Sequence, residues 1–267
     1  MSSNDSDALW YVYGIVSATA PAPSAPAGLD DAPVALERHN GVAALVSLLP
    51  GTDYDPRRLE EQSGDLEWLS PRAMAHDRVL TGASDRGPVV PLPMFSLFSG
   101  RNAVQAMLAE RHDQVRSVLL RLGSAREYAL RVYRVDAEML GAVVELSPRL
   151  SELAASAREA APGQRYLLDR KLDAERKAEM RLITQRIADE ITTELKQFAR
   201  DGGVVRSPVP RMSAGDAAVD RGTMVLNVAF LVDPESLQRF QSVLTTLVQR
   251  YTSRGFRFDF TGPWPPY

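Results

Sequence analysis

Apolar residues along this chain recur at two spacings, every second residue in some stretches and every third or fourth in others, and the switches between them mark out the elements. Residues 9–16 (LWYVYGIV) are rich in β-branched and aromatic side chains, which predicts a strand, and the Pro/Ala/Ser run over 18–28 predicts a flexible loop. Stretches 34–38 and 42–49 flank Asn40-Gly41, a dipeptide that tolerates positive φ in a tight turn, and are expected to pair as an antiparallel hairpin. Asp55-Pro56 sets a capping carboxylate before a proline at the first helical position, with Leu59, Leu66 and Leu69 as an apolar stripe. Ser70-Pro71 repeats the signal, so a helix is expected to restart there and run to about residue 82. Residues 89–98 (VVPLPMFSLF) are apolar but carry Pro91 and Pro93, which predicts an edge strand or an irregular crossing. Val104, Met107, Leu108, Val115, Leu119 and Leu122 then recur at helical steps before Gly123, the mark of an amphipathic helix with a glycine stop.

The second half alternates in the same way. Residues 127–135 (EYALRVYRV) place Tyr128, Leu130 and Val132 on one face of a strand, and the alanine-rich stretch 137–160 reads as helical with a break at Pro148. After Pro162-Gly163 a long helix is expected from about residue 164 to about 200, with Leu168, Leu172, Ile183, Ile187, Ile191, Leu195 and Phe198 as its stripe and Gly202-Gly203 as its end. Stretches 204–209 and 223–232 read as strands, the second with Met224, Leu226, Val228, Phe230 and Val232 on one face. Asp233-Pro234 opens a helix carrying Leu237, Phe240, Leu244, Leu247, Val248 and Tyr251, Gly255 stops it, and 256–261 form the last strand. From residue 127 the order strand, helix, strand, strand, helix, strand is the split βαβ plan, which requires 127–135 to share a sheet with 223–232 and the last strand. The fold class is therefore α+β with two domains. Residues 1–123 form an N-terminal α/β sheet-plus-helix domain, and 124–267 form a ferredoxin-like (βαββαβ) domain with 137–162 as an inserted helical segment.

Composition changes this picture mainly by exclusion. A chain of 267 residues, 45% hydrophobic and 24% charged, is long and apolar enough to bury a sizeable core. A net charge of -3 offers no bulk positive field, which argues against nucleic acid as a partner, and the absence of cysteine removes disulfides, thiolate metal sites and a cysteine nucleophile together. Residues 1–7 are polar and acidic rather than signal-like, and nowhere do about 18 apolar residues run together, so an intracellular chain without a membrane span is expected. His39, His76 and His112 lie on separate elements with no ligand spacing, and no nucleotide-binding glycine loop or GxSxG elbow occurs. Asp169/Asp173 and Glu175/Glu179 pair carboxylates on helix faces, but Arg170, Lys171, Arg176 and Lys177 interleave with them, which favours a solvated, salt-bridged surface. Phe256, Phe258 and Phe260 alternate as RNA-stacking aromatics do, yet Arg257 and Asp259 cancel in charge, and an ordinary core strand has the same pattern. Neither catalysis, a cofactor nor a metal has positive support.

Several stretches carry a resemblance. LNVAFLVD at 226–233, a helix centred on Phe240, and above all TGPWPPY at 261–267 look like the gas vesicle F/L (GvpF/GvpL) family. YVYGIV at 11–16, GVAALVS at 41–47, AHDRVL at 75–80 and VVPLPMFSLF follow in the order that family shows, so the resemblance covers most of the chain. Where the family often has Arg-Phe-Gly-Thr after its proline-leucine pair, this chain has Pro93-Met94-Phe95-Ser96.

The resemblance implies a modified ferredoxin-like C-terminal domain and a non-enzymatic accessory or minor structural role in gas vesicle formation. The implied partners are the small shell protein and other accessory proteins, and the implied place is the gas vesicle or the cytoplasm. The alternatives are a regulatory interaction module of the same family outside vesicles, or an unrecognised ligand-binding protein or enzyme. Alanine at any of the three histidines is expected to leave vesicles intact. The candidate structural or partner-contact motif is Thr261, Gly262, Pro263, Trp264, Pro265, Pro266 and Tyr267, whose stiffened backbone presents two large rings. Packing of Trp264 across the sheet end is preferred to a grip on a partner.

Overall fold

Residues 8–21, 27–200, 204–206 (backbone only) and 222–265 are described by the structure, a computed structural model. Packing divides the chain into two compact units, residues 1–126 together with 263–267, and residues 127–262.

The first unit is built on β1 (Ala8–Ser17), which pairs antiparallel with β3 (Val42–Pro50) on one side and with the short β4 (Val89–Pro91) and β5 (Leu97–Phe98) on the other, while β2 (Ala35–His39) completes the sheet beyond β3. The β2–β3 hairpin closes through Asn40 (φ 41) and Gly41 (φ 90), both left-handed as a tight two-residue turn demands. One face of the sheet packs Tyr11, Tyr13, Val16 and Leu45 against Val79, Leu80 and Ala83 of α2 (Leu66–Ser84); the other packs Val12, Ile15, Ala44 and Val46 against Val104, Leu108 and Leu119 of α3 (Arg101–Leu122). The phase of β1 switches at a bulge between Val12 and Gly14, which sends Ile15 to the α3 side and Val16 to the α2 side. Gly14 has no room for a side chain there: a Cβ would stand 2.8 Å from the Val90 carbonyl oxygen and 2.9 Å from Leu80.

Asp55 caps α1 (Pro56–Gln62) by accepting from the Arg57 and Arg58 amides, as expected. The expected restart at Ser70-Pro71 is corrected. The break falls at Ser63-Gly64, Asp65 caps α2 by accepting from Glu67 and Trp68, and Pro71 lies inside the helix. Two cap bonds at Asp65 secure the start, and α2 continues through the proline's missing donor.

In the second unit β6 (Arg126–Arg134) lies between β8 (Thr223–Val232) and β9 (Phe256–Trp264), and β7 (Val204–Arg206) flanks β8, giving the order β7-β8-β6-β9 of a split βαβ sheet. This is the pairing the sequence order required. Between β6 and β7 run three helices, α4 (Asp136–Leu146), α5 (Pro148–Glu159) and α6 (Pro162–Lys196). Ser147 caps α5 from the break at Pro148. With α7 (Pro234–Thr252), α6 covers the core face of the sheet, where Leu130, Val132, Leu226, Val228 and Phe230 meet Ile183, Ile187, Ile191, Phe240 and Leu247. Met224, expected on the same face, is exposed at the open end of β8. Helix α6 stops at Lys196, short of the expected Arg200, and Gly202-Gly203, proposed as its terminator, lie outside the described residues, as does the 207–209 end of the expected strand. Asp233 precedes α7 without capping it; its carboxylate forms a two-pronged pair with the Arg200 guanidinium (2.6–3.0 Å), which holds its pKa down.

Candidate functional site

Thr261, Gly262, Pro263 and Trp264 complete β9, which runs three residues beyond its expected end, and Pro265 follows buried; Pro266 and Tyr267 lie outside the described residues. Gly262 is fixed by its surroundings: φ is +125, and a Cβ would stand 2.8 Å from the Glu127 carbonyl oxygen and 3.1 Å from the Tyr128 ring. Trp264 is half-buried, between the two readings offered for it. The phenylalanines before it face inward. Phe256 is fully buried, and Phe260 stacks on Tyr128 at 5.4 Å and on Phe240 at 5.8 Å, so these rings serve the core.

Of the histidines, His76 is the one whose place the sequence did not foretell. It is buried on α2, with its Nδ1 2.6 Å from the Tyr11 hydroxyl and its other ring nitrogen bonded to the Leu92 backbone. The Phe95 amide donates to the same Tyr11 hydroxyl at 3.3 Å. One arrangement satisfies all of these groups: Tyr11 donates to Nδ1, and the far N–H of a neutral imidazole donates to the Leu92 carbonyl. Burial pushes the His76 pKa down to about 4. An alanine there would empty a core position and take away the acceptor of the Tyr11 hydroxyl's proton, a structural duty that the spacing of the histidines did not foretell. His39 and His112 approach each other edge to face at 6.4 Å, bonded to Gln105 and to the Asn40 carbonyl respectively, and among the described residues no three potential ligands gather.

Beside His76 lies a second polar cluster that sequence reasoning missed. The Arg72 guanidinium donates to the Tyr54 hydroxyl (3.0 Å), the Trp68 carbonyl (2.9 Å) and Asp30 (2.9 Å), and lies 4.3 Å above the Trp68 ring; Tyr54 donates in turn to Asp30. Burial and the bond to Asp30 raise the Tyr54 pKa, so the phenol stays protonated. This network ties Asp30, left-handed like Asp31 after it (φ 47 and 60), to α2. Phe95, the residue standing where the family run has glycine, is also left-handed (φ 63), and its ring stacks on Trp68 at 5.5 Å. The only advance signal was compositional, three aromatic residues and an arginine in segments with no common period.

The carboxylates of α6 are salt-bridged as expected, but not only along the helix. Glu175 and Glu179 meet Arg149 of α5 (2.9 and 3.5 Å), Glu179 also accepts from Ser147, and Asp173 meets Arg176 at 3.0 Å. On the outward side of α6, Leu167 and Leu182 are 66% and 65% exposed, with exposed Ala174 and Ala178 between them and Arg170, Lys171, Lys177 and Arg181 alongside. Among the described residues no helix is long and apolar enough to cross a membrane.

An α+β chain whose second sheet has the split βαβ order, whose polar clusters are internally bonded and whose longest helix bears an exposed basic and apolar face is the class these features define. The family model for gas vesicle synthesis protein GvpL/GvpF matches residues 9–267, and the chain belongs to that family. It is 32% identical over 266 residues to gas vesicle protein L of Streptomyces sp. (strain CB03234), covering 98% of this chain and 92% of that protein. It is 27% identical to gas vesicle protein F of the same strain, covering 96% and 97%. The crystal structure of GvpF from Anabaena sp. PCC7120 superposes with a TM-score of 0.68 at 18% identity, covering 97% of both chains, which places the fold. Family membership implies a role in gas vesicle formation.

Proposed function

We propose that the chain serves gas vesicle formation as an accessory or minor structural protein, through contacts with the shell protein and other accessory proteins and without catalysing a reaction. It works at the gas vesicle or in the surrounding cytoplasm, with neither nucleic acid nor membrane as partner. The observation that carries this reading is the outward face of α6, where Leu167, Ala174, Ala178 and Leu182 form a stripe left exposed by the described residues, flanked by four cations. Exposed leucines in a row with low-bulk residues between them suit a helix partner, and the flanking charges select an acidic one. The motif from Thr261 to Tyr267 is the second candidate contact, through Trp264.

Deletion of the gene followed by electron microscopy tests the role: vesicles formed at normal number and width without the gene refute it. The double variant Leu167→Glu with Leu182→Glu tests the surface. It is expected to keep its melting temperature while losing co-purification with the shell protein, and undiminished co-purification rejects this face.

A further inference from the structure

The outward row of α6 runs straight. Leu167, Lys171, Ala174, Ala178, Leu182 and Gln185, all exposed, follow one another at steps of four and three residues whose mean is about 3.6, the period of the helix itself, so the row does not drift around the axis. Leu172, Met180, Ile183 and Ile187, which α6 buries, occupy the opposite side. Leu167 and Leu182 stand about 22 Å apart along the axis at about 1.5 Å per residue, and the two alanines make the stretch between them shallow.

Charge sets this row apart from the rest of the molecule. Residues 165–185 hold six cations and four carboxylates. The carboxylates are engaged: Asp169 faces Arg165 at 3.9 Å, Asp173 meets Arg176 at 3.0 Å, and Glu175 and Glu179 meet Arg149 of α5. With Arg149 counted, three positive charges remain in excess after every carboxylate is matched. Arg170, Lys171, Lys177 and Arg181, exposed along the row, have neither an ion pair nor a hydrogen bond among the described residues. A chain whose net charge is -3 thus carries one basic ridge with leucines at its ends.

These charges decide among occupants. A second copy is disfavoured: antiparallel α6 helices centred on the alanines bring Lys171 against Arg181, and parallel ones set each cation beside its own counterpart. A lipid surface is a poor match as well, because an interfacial helix buries a broad face of bulky apolar residues, whereas here two alanines and Lys171 fill the middle of the row. We propose that the row receives an acidic amphipathic helix of a partner protein, at least about four turns long, which deepens the docking surface proposed above and rests on it. The partner's leucines sit over Ala174 and Ala178 between the end posts Leu167 and Leu182, and its flanking carboxylates face Arg170, Lys171, Lys177 and Arg181. Small residues let the two backbones approach, and the charges fix which helix is accepted.

The test is NMR titration of the full isotope-labelled chain with the helical peptide acetyl-(ELAALEA)₃-amide and with its glutamine and lysine counterparts, in which every glutamate is replaced, at matched ionic strength. The acidic helix is expected to shift the Ala174 and Ala178 amide and methyl signals saturably, the glutamine helix to bind at least about tenfold more weakly, and the lysine helix to give no saturable shift. Changing Arg170, Lys171, Lys177 and Arg181 together to glutamine is expected to erase the preference for the acidic helix. Ala174→Gln with Ala178→Gln holds the backbones apart and is expected to weaken binding at least about tenfold at an unchanged melting temperature, an independent reading should the fourfold variant misfold. Liposomes of phosphatidylcholine and phosphatidylglycerol are expected not to sediment the chain. Equal affinity for the acidic and glutamine helices, shifts that spare Ala174 and Ala178, binding undiminished in the folded variants, sedimentation with the liposomes in place of peptide binding, or no saturable shift overturns the proposal. The titration contains no gas vesicle component, so its failure rejects the acidic helix alone, and the vesicle role is decided separately by the gene deletion.

Discussion

Lowering the pH from 7 to 4 should loosen the first unit through one side chain, His76. The unfolded chain offers an ordinary imidazole that takes up a proton near 6.5, whereas in the folded unit burial holds His76 neutral down to about 4. Above 6.5 neither state binds the proton, and the group leaves stability untouched. Between 6.5 and about 4 only the unfolded chain binds it, so stability falls as the pH falls; below about 4 both states are protonated and the loss is complete. The distance between the two pKa values corresponds to about 3 kcal/mol, a large share of a domain's usual stability of roughly 5 to 15 kcal/mol.

The assay is guanidinium unfolding of the parent chain and of His76→Gln at half-unit pH steps from 4 to 7.5. Glutamine does not titrate, so the difference between the two curves isolates the histidine from the carboxylates and from His39 and His112. The parent should lose about 3 kcal/mol more than the variant across this range. Imidazole NMR supplies the direct reading, with the His76 ring still neutral at pH 5. Superimposable acid slopes for the two proteins, or a folded-state His76 titrating near 6.5, would refute the reasoning. Tyr11→Phe checks the geometry at pH 7: it strips a partner from both His76 and the Phe95 amide and should cost about 1 to 3 kcal/mol.

Arg72→Ala removes the donor to Tyr54, Asp30 and the Trp68 carbonyl, and should lower stability by about 2 kcal/mol in chemical unfolding. Arg72→Lys should recover little of that loss, because an ammonium cannot reproduce the three-way fork. Gly262→Ala forces a Cβ against the Glu127 carbonyl at a left-handed φ and should cost about 1 to 3 kcal/mol; a variant as stable as the parent would mean that β6 and β9 part easily at that point. Trp264→Ala should cost less than the roughly 3 to 5 kcal/mol of a fully buried tryptophan, since the ring is half-buried. A melting temperature shift read beside co-purification with the shell protein separates its packing share from any contact share, and an unchanged result in both removes Trp264 from either role.

What the sequence determined by itself is what local chemistry decides. Asn40-Gly41 dictates a turn because few other residue pairs enter left-handed φ twice in succession, and Gly123 ends α3 for a kindred reason. The period-two runs at 128–132 and 226–232 and the helical stripes between them settle which faces seek a core, and their order leaves the split βαβ sheet as the economical way to bury them. Even so, two neighbouring helix-start signals could not be ranked from sequence: Asp65 won over Ser70-Pro71 because its carboxylate reaches two free amides. The candidate site was legible only as far as family resemblance and the rigidity of residues 261–265.

Tertiary structure alone decided the rest, because the deciding partners are far apart along the chain. His76 is a core residue through Tyr11, 65 positions away, and Arg72 a clamp through Asp30, 42 positions away. The bulge before Gly14 lies where α2 and β4 crowd β1 so closely that no side chain fits. Hydrogen bonds within a turn can be read from neighbours, but burial of a polar group depends on which distant surface covers it, and that is settled only when the whole chain packs.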